Sequence, residues 1–589
     1  MMNIIQRNIG NIEYKKNDKQ YKPTVPKQIE GFDTETERGY VRVISTSQES
    51  AEINDALDMM QFLTQKKFRG SLNVFYNLQF DSEAILKWFP ELLQQLKDNE
   101  PFNKDADIKV KLIPKKYFSI TKNGNVYGFY DIAQFFNMSL KNASVKYLGQ
   151  KTSELKKDRE NLFKKYTIDQ IKDYCRDDAT KTKLLAEYFI NSLHNIGIFT
   201  NRIYSAGYIS QIYTINHARI PDFLSIPFKV QQYYYAAYRG GWFDTYKRGV
   251  FECSNYDLKS AYPWTLSTIP DPTLGKWIEG YNSSAECGVY RVRISGGEDI
   301  FNPVSINING KNIYPIFDKK ITTYLTKNEI DAYKDHYKIE ILDGYSFIAD
   351  QLDYPYLPLV TELFKLKSRY EHDQGTYDTV KRIINSLYGK CAQKLNQSGR
   401  CGRLFNPFFA AECTARCRTR IFNDFYNIRD KIASVMTDGI LLEGNANLKI
   451  GKQLGEWDKK YHNKNTLIIQ TGVYQSEKCD PHTRGFSIKK PVLDSATGKM
   501  KLDSENLINL FDYLQDKKES TFTVYQFRPL HFRECIAQKM FKEICCFRLV
   551  KKEIDLNYDL KRIWDTEIKQ ASQLLKQQFN SISPCISMW

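Results

Sequence analysis

Hydrophobic and polar positions in the first two hundred residues alternate between strand and helix patterns. The apolar runs VRVIST (41–46) and SLNVFYN (71–77) are typical of buried strands. Apolar residues recur at helical spacing in SEAILKWFPELLQQL (82–96) and IKDYCRDDATKTKLLAEYFINSL (171–193). This mixture predicts an α/β (α+β) fold, with one continuous helix in each of the two longer segments.

The rest of the chain changes pattern several times. An aromatic run, QQYYYAAYRGGWFDTY, precedes CSNYDLKSAYP, which reads as a strand that breaks at Pro263. Helical periodicity covers 357–394 with an interruption near 373–375, and the Asp-Gly pair in ASVMTDGILLEG predicts a strand, a turn and a strand. After residue 490 the pattern predicts helices, which end in a polar amphipathic helix near 561–579.

Composition narrows the class of protein. The chain has 589 residues, or about four domain-sized units, and a net charge of +16 that favours a polyanionic partner, nucleic acid first. We expect neither a signal peptide nor a membrane span, because no apolar run is long enough for either. The 12 cysteines form no CxxC pair, which favours reduced thiols in a cytoplasmic protein.

Four carboxylates in the N-terminal segment point to one kind of chemistry. Asp33 and Glu35 lie two apart in GFDTETE, so on a strand they share a face. Asp81 follows in YNLQFD and Asp178 in DYCRDD, four residues after the phenol of Tyr174. Carboxylates of this number suit two Mg²⁺ ions and the hydrolysis of a phosphodiester, with the phenol holding the attacking water.

The ordered set DxE, NxxFD and YxxxD resembles the three motifs of DEDD-type 3′→5′ proofreading exonucleases, which have a ribonuclease H-like fold. This resemblance implies that Asp33, Glu35, Asp81 and Asp178 bind metal and that Tyr174 positions the water. It also implies a catalytic lysine, for which Lys156 and Lys157 both qualify. The single-stranded DNA contacts that it implies are Thr34, Asn77, Phe80, Ser139 and Leu140.

A second set of residues occupies the C-terminal two thirds. Asp257 ends a strand, and Asp438 lies at the tight turn of MTDG. Between them, Lys381, Asn385 and Tyr388 in KRIINSLYG share one face of a helix and offer a cation, an amide and a ring. Two carboxylates with two Mg²⁺ ions and a cationic helix are what nucleotidyl transfer requires.

In this order the motifs resemble family B DNA polymerases, and within them the protein-primed branch of bacteriophages and linear plasmids. By this resemblance Asp257 and Asp438 bind the metal ions, Tyr262 excludes a 2′-OH, and Lys381 with Arg369 binds the incoming triphosphate. Asn385 and Tyr388 shape the pocket of the new base pair. The implied contacts to template or primer are Tyr238, Gly240, Gly241, Ser386, Gly389, Thr414, Arg418 and Tyr474.

The resemblance also predicts how the chain is divided. We expect an exonuclease domain at 1–200, palm and fingers at 201–490, and a thumb at 491–589. A terminal-protein region is expected as an insertion at about 265–355. A short second insertion is expected at about 394–412, too short for strong strand displacement.

Two positions depart from the family pattern. Met436 replaces the first Asp of the usual DTD motif, although Asp438 remains. The KxY element reads Gly472-Val-Tyr474, so its lysine is missing, and Arg484 is our candidate for the replacement cation.

The predicted function is therefore DNA polymerisation on a linear genome from a terminal-protein primer, with 3′→5′ proofreading. The expected cofactor is Mg²⁺, two ions per site, with Mn²⁺ as a substitute. Expected partners are primer/template DNA, dNTPs, the terminal protein and single- and double-stranded DNA-binding replication proteins, with a monomer in the host cytoplasm. The alternatives are a polymerase that uses only nucleic-acid primers, a non-catalytic nucleic-acid-binding relative, and a nuclease alone.

Overall fold

A computed structural model gives the fold of this chain. It describes residues 9–10, 14, 19–98, 108–151, 162–296, 300–308, 311–315, 320–394, 400–484, 489–493, 500–559 and 562–584. Over these ranges, no helix combines the length and the apolarity that crossing a membrane requires.

Helices and strands are interspersed along the described residues. The helices are α1 (Ala56–Leu63), α2 (Leu78–Leu86), α3 (Pro90–Asp98), α4 (Leu140–Ala143), α5 (Leu162–Lys165), α6 (Ile168–Asn195), α7 (Ala206–His217), α8 (Phe228–Ala237), α9 (Ala261–Ser267), α10 (Lys327–Tyr333), α11 (Leu357–Arg369), α12 (Gln374–Ser386), α13 (Pro407–Phe425), α14 (Leu510–Gln515) and α15 (Phe532–Ala537). The strands are β1 (Ile29–Glu37), β2 (Tyr40–Thr46), β3 (Ser50–Glu52), β4 (Leu72–Phe75), β5 (Ile108–Ile113), β6 (Tyr117–Lys122), β7 (Asn125–Asp131), β8 (Trp242–Thr245), β9 (Lys247–Leu258), β10 (Gly275–Glu279), β11 (Cys287–Ser295), β12 (Ile306–Ile308), β13 (Lys311–Ile313), β14 (Ile321–Thr326), β15 (Lys338–Ala349), β16 (Ile432–Thr437), β17 (Gly439–Glu443), β18 (Trp457–Gln470), β19 (Val473–Ser476), β20 (His482–Thr483), β21 (Lys489–Leu493), β22 (Met500–Leu507), β23 (Thr521–Pro529), β24 (Phe547–Asp555), β25 (Arg562–Trp564) and β26 (Phe579–Pro584).

The N-terminal sheet has the strand order β3-β2-β1-β4-β7-β6-β5, in which β1, β4 and β7 run parallel. Helix α6 packs on β1, and the predicted strands β2 and β4 and the predicted helix α6 are confirmed. The prediction of one helix over 82–96 is wrong. Helix α2 ends at Leu86 and α3 begins at Pro90, whose missing N–H is tolerated only in a first turn.

The central sheet is built around the long strand β9, in the order β20-β19-β18-β9-β17-β16-β8. The predicted hairpin of 433–444 is confirmed as β16 and β17. The prediction that the strand breaks at Pro263 is wrong, because β9 already ends at Leu258. Pro263 instead lies in the first turn of α9, where no intrahelical N–H is required.

The interval between α9 and α11 forms a sheet of its own, which we call the inserted sheet. Its strand order is β10-β15-β11-β14, and the hairpin β12–β13 and helix α10 accompany it. These elements fill the interval 265–355 that we predicted as an insertion. The predicted interruption of the following helices is confirmed, because α11 ends at Arg369 and α12 begins at Gln374 behind its cap Asp373.

The second predicted insertion, 394–412, stays a prediction, and its residues 395–399 lie outside the described part of the chain. An antiparallel bridge joins Lys394 to Cys401, and Asn406 caps the next helix by accepting from the backbone N–H of Phe408. Helix α13 therefore begins at Pro407, so the end of the predicted interval belongs to a buried helix.

The C-terminal predictions of secondary structure are wrong. Most described elements after residue 490 are strands, and 561–579 contains β25 and one short 3₁₀ turn instead of a helix. Tertiary contacts override the helical pattern: the guanidinium of Arg562 is buried against the carboxylate of Asp244, and β26 pairs with β9.

A buried lysine joins the N-terminal unit to the C-terminal module, by which we mean residues 529–547. Lys87 is 1% exposed, and its Nζ donates to the carbonyl oxygens of Arg38 (2.8 Å), Lys542 (2.8 Å) and Ile544 (2.9 Å). Gly39 makes room for this contact, since a Cβ there would lie 2.2 Å from the Ile544 oxygen. The C-terminal module is thus fixed onto the N-terminal sheet.

We predict that Lys87→Met weakens this junction. Three buried carbonyl groups lose their donor, which costs about 3 kcal/mol in the free energy of unfolding. Urea unfolding measures the loss, and hydrogen exchange should show faster exchange of the amides in 530–546. Lys66→Met, at an exposed lysine, is the control. Equal unfolding midpoints for the two variants would contradict the assignment.

Candidate active sites

The first candidate site forms where three elements of the N-terminal unit meet. Asp33 and Glu35 come from β1, Asp81 from the first turn of α2, and Asp178 from α6. Gly31 permits the close packing of α6 on β1, because a Cβ there would lie 2.1 Å from the carbonyl oxygen of Ala179. The structure therefore brings together all four carboxylates that the sequence motifs singled out.

Burial gives this cluster unusual electrostatics. Burial raises the pKa of Asp81 to about 7, and the neighbouring carboxylates of Asp131 and Glu35 also raise it. The hydroxyl of Thr34 donates to Asp81 over 2.6 Å and opposes that rise. Burial, followed by Asp178, Glu35 and Asp33, holds the pKa of Tyr174 well above its usual value. The phenol therefore stays protonated while the carboxylates repel one another.

These residues fit hard divalent cations by donor chemistry and charge. All the donors are carboxylate oxygens, and a cation among them would relieve the repulsion that raises the pKa of Asp81. Within the described part of the chain, no three His, Cys, Asp or Glu side chains are already arranged around one metal position. The fit thus rests on donor type and electrostatics.

The predicted single-strand contacts lie around this cluster in different ways. Thr34 is buried and positions Asp81, whereas Asn77 is exposed at the start of α2 with a left-handed φ of 70°. Ser139 is exposed and caps α4, and Leu140 packs partly against the core. Lys156 and Lys157 lie outside the described residues, and the five contacts stay predictions.

The sequence motifs missed Asp131, at the end of β7. It is 2% exposed and accepts from the backbone N–H groups of Asn77 (3.1 Å) and Ala133 (2.9 Å). Burial raises its pKa to about 6. It anchors the N-terminal end of α2 and so helps to place Asp81. Its position after the apolar strand NVYGFY was the signal that could have found it.

The second candidate site lies in the middle of the central sheet. Asp257 at the end of β9 pairs with Gly439, the first residue of β17, and so lies beside Asp438 in the turn. The Leu258 N–H donates to the carbonyl oxygen of Asp438 over 2.8 Å. Burial, and then Asp257, raises the pKa of Asp438 to about 6. These two carboxylates also fit divalent cations by donor type.

Two aromatic rings line the pocket beside these carboxylates. The ring of Tyr262 in α9 packs on that of Tyr388, with centroids 4.1 Å apart. Gly241 leaves room for this pair, since a Cβ there would lie 2.7 Å from the Tyr262 Oη and 2.8 Å from Thr437 Cγ2. Gly240 has a φ of +77°, a left-handed backbone conformation that glycine adopts without steric strain because it has no side chain.

A cleft of about 860 Å³ opens from these rings. It gathers residues that lie far apart in the sequence, from the YRGG segment to the strands after the hairpin. The predicted residues that line it are Gly240, Gly241, Tyr262, Tyr388, Met436, Tyr474 and Arg484. Of the other predicted contacts, Tyr238 is half-buried, Ser386 ends α12, and Gly389 is exposed just after it.

Two residues predicted to contact DNA, Thr414 and Arg418, have buried side chains, and their contact with DNA stays a prediction. Thr414 is 0% exposed, and its hydroxyl donates to the carbonyl oxygens of Ala410 and Ala411 in its own helix. Arg418 is 1% exposed; it donates to the carbonyl oxygen of Gly240 and to Glu329 over 2.7 Å. Arg418 therefore holds the backbone of Gly240, which lines the cleft.

The hairpin of helices α11 and α12 carries three residues that were predicted to bind the nucleotide. Lys381 and Asn385 are exposed on α12, on the face that ends at Tyr388. Arg369 is exposed at the C-terminal end of α11, and its role stays a prediction. Sequence reasoning missed Lys367. This lysine lies close enough to Lys381 for the charge of Lys381 to lower its pKa.

Comparison with known proteins identifies the family. The family model described as "DNA polymerase type B, organellar and viral" matches residues 67–401, which is more than half of the chain. The chain belongs to this family. It is therefore a type B DNA polymerase, a DNA-directed DNA polymerase related to those of viruses and organelles.

Individual relatives are distant. The "DNA polymerase" of Acidianus bottle-shaped virus (isolate Italy/Pozzuoli) is 23% identical over 526 residues, which cover 80% of this polymerase and 76% of that protein. The "Probable DNA polymerase" of Ascobolus immersus is 25% identical over 257 residues, 40% of this chain and 21% of that protein.

Solved structures show the same fold. Phi29 DNA polymerase complexed with single-stranded DNA superposes with a TM-score of 0.60 at 16% identity, covering 90% of this polymerase and 100% of that chain. The complex of Phi29 DNA polymerase with primer-template DNA and incoming nucleotides gives a TM-score of 0.58 at 15% identity and the same coverage. The predicted fold class, a nuclease-like domain followed by palm, fingers and thumb, is confirmed.

We predict that Asp81→Asn stabilises this polymerase in chelator at pH 8. The pKa of Asp81 is about 7 in the folded state and about 4 in an unfolded chain. Its protonated form therefore favours folding, and this contribution is lost as the pH rises from about 4 through about 7. The variant avoids that loss, so its Tm should exceed that of the wild type by about 2 °C at pH 8 and should match it at pH 4.

The control is Asp173→Asn, at an exposed carboxylate of the same helix as Asp178. Adding a divalent cation at pH 8 should raise the Tm of the wild type more than that of Asp81→Asn. A stabilisation that is equal at both pH values would rule out the electrostatic explanation.

Proposed function

We propose that this polymerase copies a linear genome from a terminal-protein primer and proofreads its product with a 3′→5′ exonuclease. One observation carries the proposal: the chain holds two separate carboxylate clusters, each placed by its own sheet. Asp257 and Asp438 lie in the central sheet, and the four-carboxylate cluster of β1, α2 and α6 lies in the N-terminal unit.

The polymerising site would hold two Mg²⁺ ions, or Mn²⁺ in their place, on Asp257 and Asp438. When bound, such ions acidify the primer 3′-OH and neutralise the charge of the leaving pyrophosphate. Lys381 binds the triphosphate from the exposed face of α12. The Tyr262 ring, fixed against Tyr388, fills the space that a ribose 2′-OH would need.

The exonuclease site would hold Mg²⁺ on Asp33, Glu35, Asp81 and Asp178. In the chain itself, Tyr174 is the proton-bearing group, because its neighbours keep its pKa high. A protonated phenol can donate to, and so orient, a water molecule beside the scissile phosphodiester. Thr34 fixes one carboxylate of the cluster through its 2.6 Å hydrogen bond to Asp81.

The proposed partners follow from charge and position. A net charge of +16 suits primer/template DNA, and Phi29 DNA polymerase has been solved in complex with single-stranded DNA and with primer-template DNA and incoming nucleotides. The inserted sheet lies between the elements of Tyr262 and Lys381 and is our candidate for binding the terminal protein. We place the protein as a monomer in the host cytoplasm, with DNA-binding replication proteins as further partners.

A primer-extension gel tests both activities. A 5′-labelled primer recessed on a longer template should shorten with Mg²⁺ alone and lengthen when dNTPs are added. Asp438→Ala should lose extension and keep shortening, and Asp33→Ala should do the reverse, each by at least about a hundredfold. The activity that each variant keeps shows that it is folded. A primer that shortens but never lengthens would mean that Met436 has disabled polymerisation.

A labelling experiment tests the protein primer. The polymerase is incubated with Mg²⁺, labelled dATP and candidate terminal proteins encoded by the same genome. The expected result is a nuclease-resistant label on a Ser, Thr or Tyr of one candidate, which Asp438→Ala abolishes. Extension of a DNA primer without any such label on a protein would favour the polymerase that uses only nucleic-acid primers.

A further inference from the structure

The strand beside Asp257 carries a lysine in an unusual place. Strand β18 pairs with β9 so that Asp458 lies opposite Asp257, and the register shifts between Lys459 and Tyr461. Lys460 is the residue left over at this bulge. Bulges redirect side chains, and here the Lys460 Nζ lies 3.6 Å from Asp257 Oδ2 and 2.6 Å from Asp458 Oδ2.

A second palm lysine lies beside it. The Lys259 Nζ is 3.4 Å from Asp458 Oδ2, so this one carboxylate holds two ammonium groups at the edge of the polymerising site. Lys460 also acts on the other metal-binding carboxylate, because its charge lowers the pKa of Asp438 against the effect of burial. Two ammonium groups therefore lie on the palm side of the site, among the carboxylates of Asp257, Asp438 and Asp458.

The facing α11–α12 hairpin adds two more lysines. Lys367 is half-buried, with its Nζ 5.6 Å from the ring centres of Phe364 and Tyr377. Burial lowers the pKa of Lys367, and the charges of Lys381, Lys259 and Lys460 lower it further. Four ammonium groups thus converge from palm and fingers. In the described residues, Asp458 is the carboxylate that ion-pairs with both palm lysines, while Lys367 and Lys381 have no carboxylate partner.

We propose that Lys460, Lys259 and Lys367 join Lys381 in one pocket for the triphosphate of the incoming nucleotide and for the pyrophosphate product. Lys367 and Lys381 have no carboxylate partner among the described residues, so their repulsion with the palm lysines favours a polyanion between palm and fingers. A nucleoside triphosphate supplies that charge beside the carboxylates that would bind the metal ions. Asp458 holds the two palm lysines in place. This inference rests on the polymerase function and adds a palm half to a pocket that sequence motifs assigned to the fingers alone.

The decisive variant is Lys460→Gln, and the chain offers a matched control in its neighbour. Lys459→Gln removes the same charge from the same strand. The Lys459 Nζ, however, points to Asn445 (2.6 Å) and to His462 (2.9 Å), away from Asp257. Lys460→Arg keeps the charge and should rescue a binding role.

We expect Lys460→Gln to raise the KM for dNTP and the inhibition constant of pyrophosphate each about tenfold, with a smaller change in kcat. Lys459→Gln should stay within twofold of the wild type, Lys460→Arg should recover most of the affinity, and shortening of the primer should not change. Unchanged constants for Lys460→Gln, or equal shifts in both glutamine variants, would overturn the pocket.

A binding measurement separates this inference from the proposed function. Titration of inorganic tripolyphosphate into the full chain, followed by calorimetry, needs no catalysis. The wild type should bind, and Lys460→Gln should bind about tenfold more weakly than Lys459→Gln. If the wild type never extends a primer but this difference appears, the pocket stands without polymerisation. If the wild type extends a primer but the difference is absent, only the pocket fails.

Discussion

The architecture of the polymerising site depends on one buried carboxylate, Glu329 of α10. It is 0% exposed and lies between two guanidinium groups, that of Arg418 at 2.7 Å and that of Arg239 at 3.8 Å. Burial opposes its ionisation, but the two arginines hold the pKa of Glu329 below its usual value. A buried charge of this kind is stable only while both partners remain, so the three residues must stay together.

This ion triplet joins three parts of the polymerase that are distant in sequence. Glu329 belongs to the inserted region, Arg418 to the buried helix α13, and Arg239 to the YRGG segment. Arg418 also binds the carbonyl oxygen of Gly240, and Asn312 of the inserted hairpin donates to that of Arg239 over 2.9 Å. The floor of the cleft is thus fixed from two sides, and the inserted sheet cannot shift without moving it.

Helix α2 performs a similar joining role for the exonuclease-like unit. One face carries Asp81, while Glu83 accepts from the Phe532 N–H over 3.0 Å, and Lys87 binds carbonyl oxygens of the C-terminal module. The residues of this module share a hydrophobic core with the N-terminal sheet. The C-terminal module therefore helps to place Asp81, a carboxylate in the N-terminal part of the chain. Helix α2 therefore links the module to the four-carboxylate cluster.

Sequence reasoning found features that are encoded by residues close together in the sequence. These are the paired carboxylates of β1, the Asp-Gly hairpin and the cationic face of α12. It failed where long-range contacts decide. Thr414 and Arg418 were singled out by the family resemblance, but no local pattern shows that their side chains are buried. The helix predicted at 561–579 does not form, because β26 pairs with β9 and Arg562 is buried against Asp244. Lys87, Glu329 and Lys460 gave no local signal, because each acts on residues distant in the sequence.

The two carboxylate clusters solve the same electrostatic problem with different surroundings. Both bury acids that repel one another, and burial is the largest cause of the raised pKa of Asp81 and of Asp438. Near Asp438 a lysine opposes that rise, whereas near Asp81 the opposing group is the neutral hydroxyl of Thr34. A fixed ammonium group suits a site that would bind and release a triphosphate, because it attracts a polyanion even without a metal ion. A neutral donor suits a site that needs only to place carboxylates around a phosphodiester. The difference in neighbours is thus consistent with the synthesis and the hydrolysis proposed for the two sites.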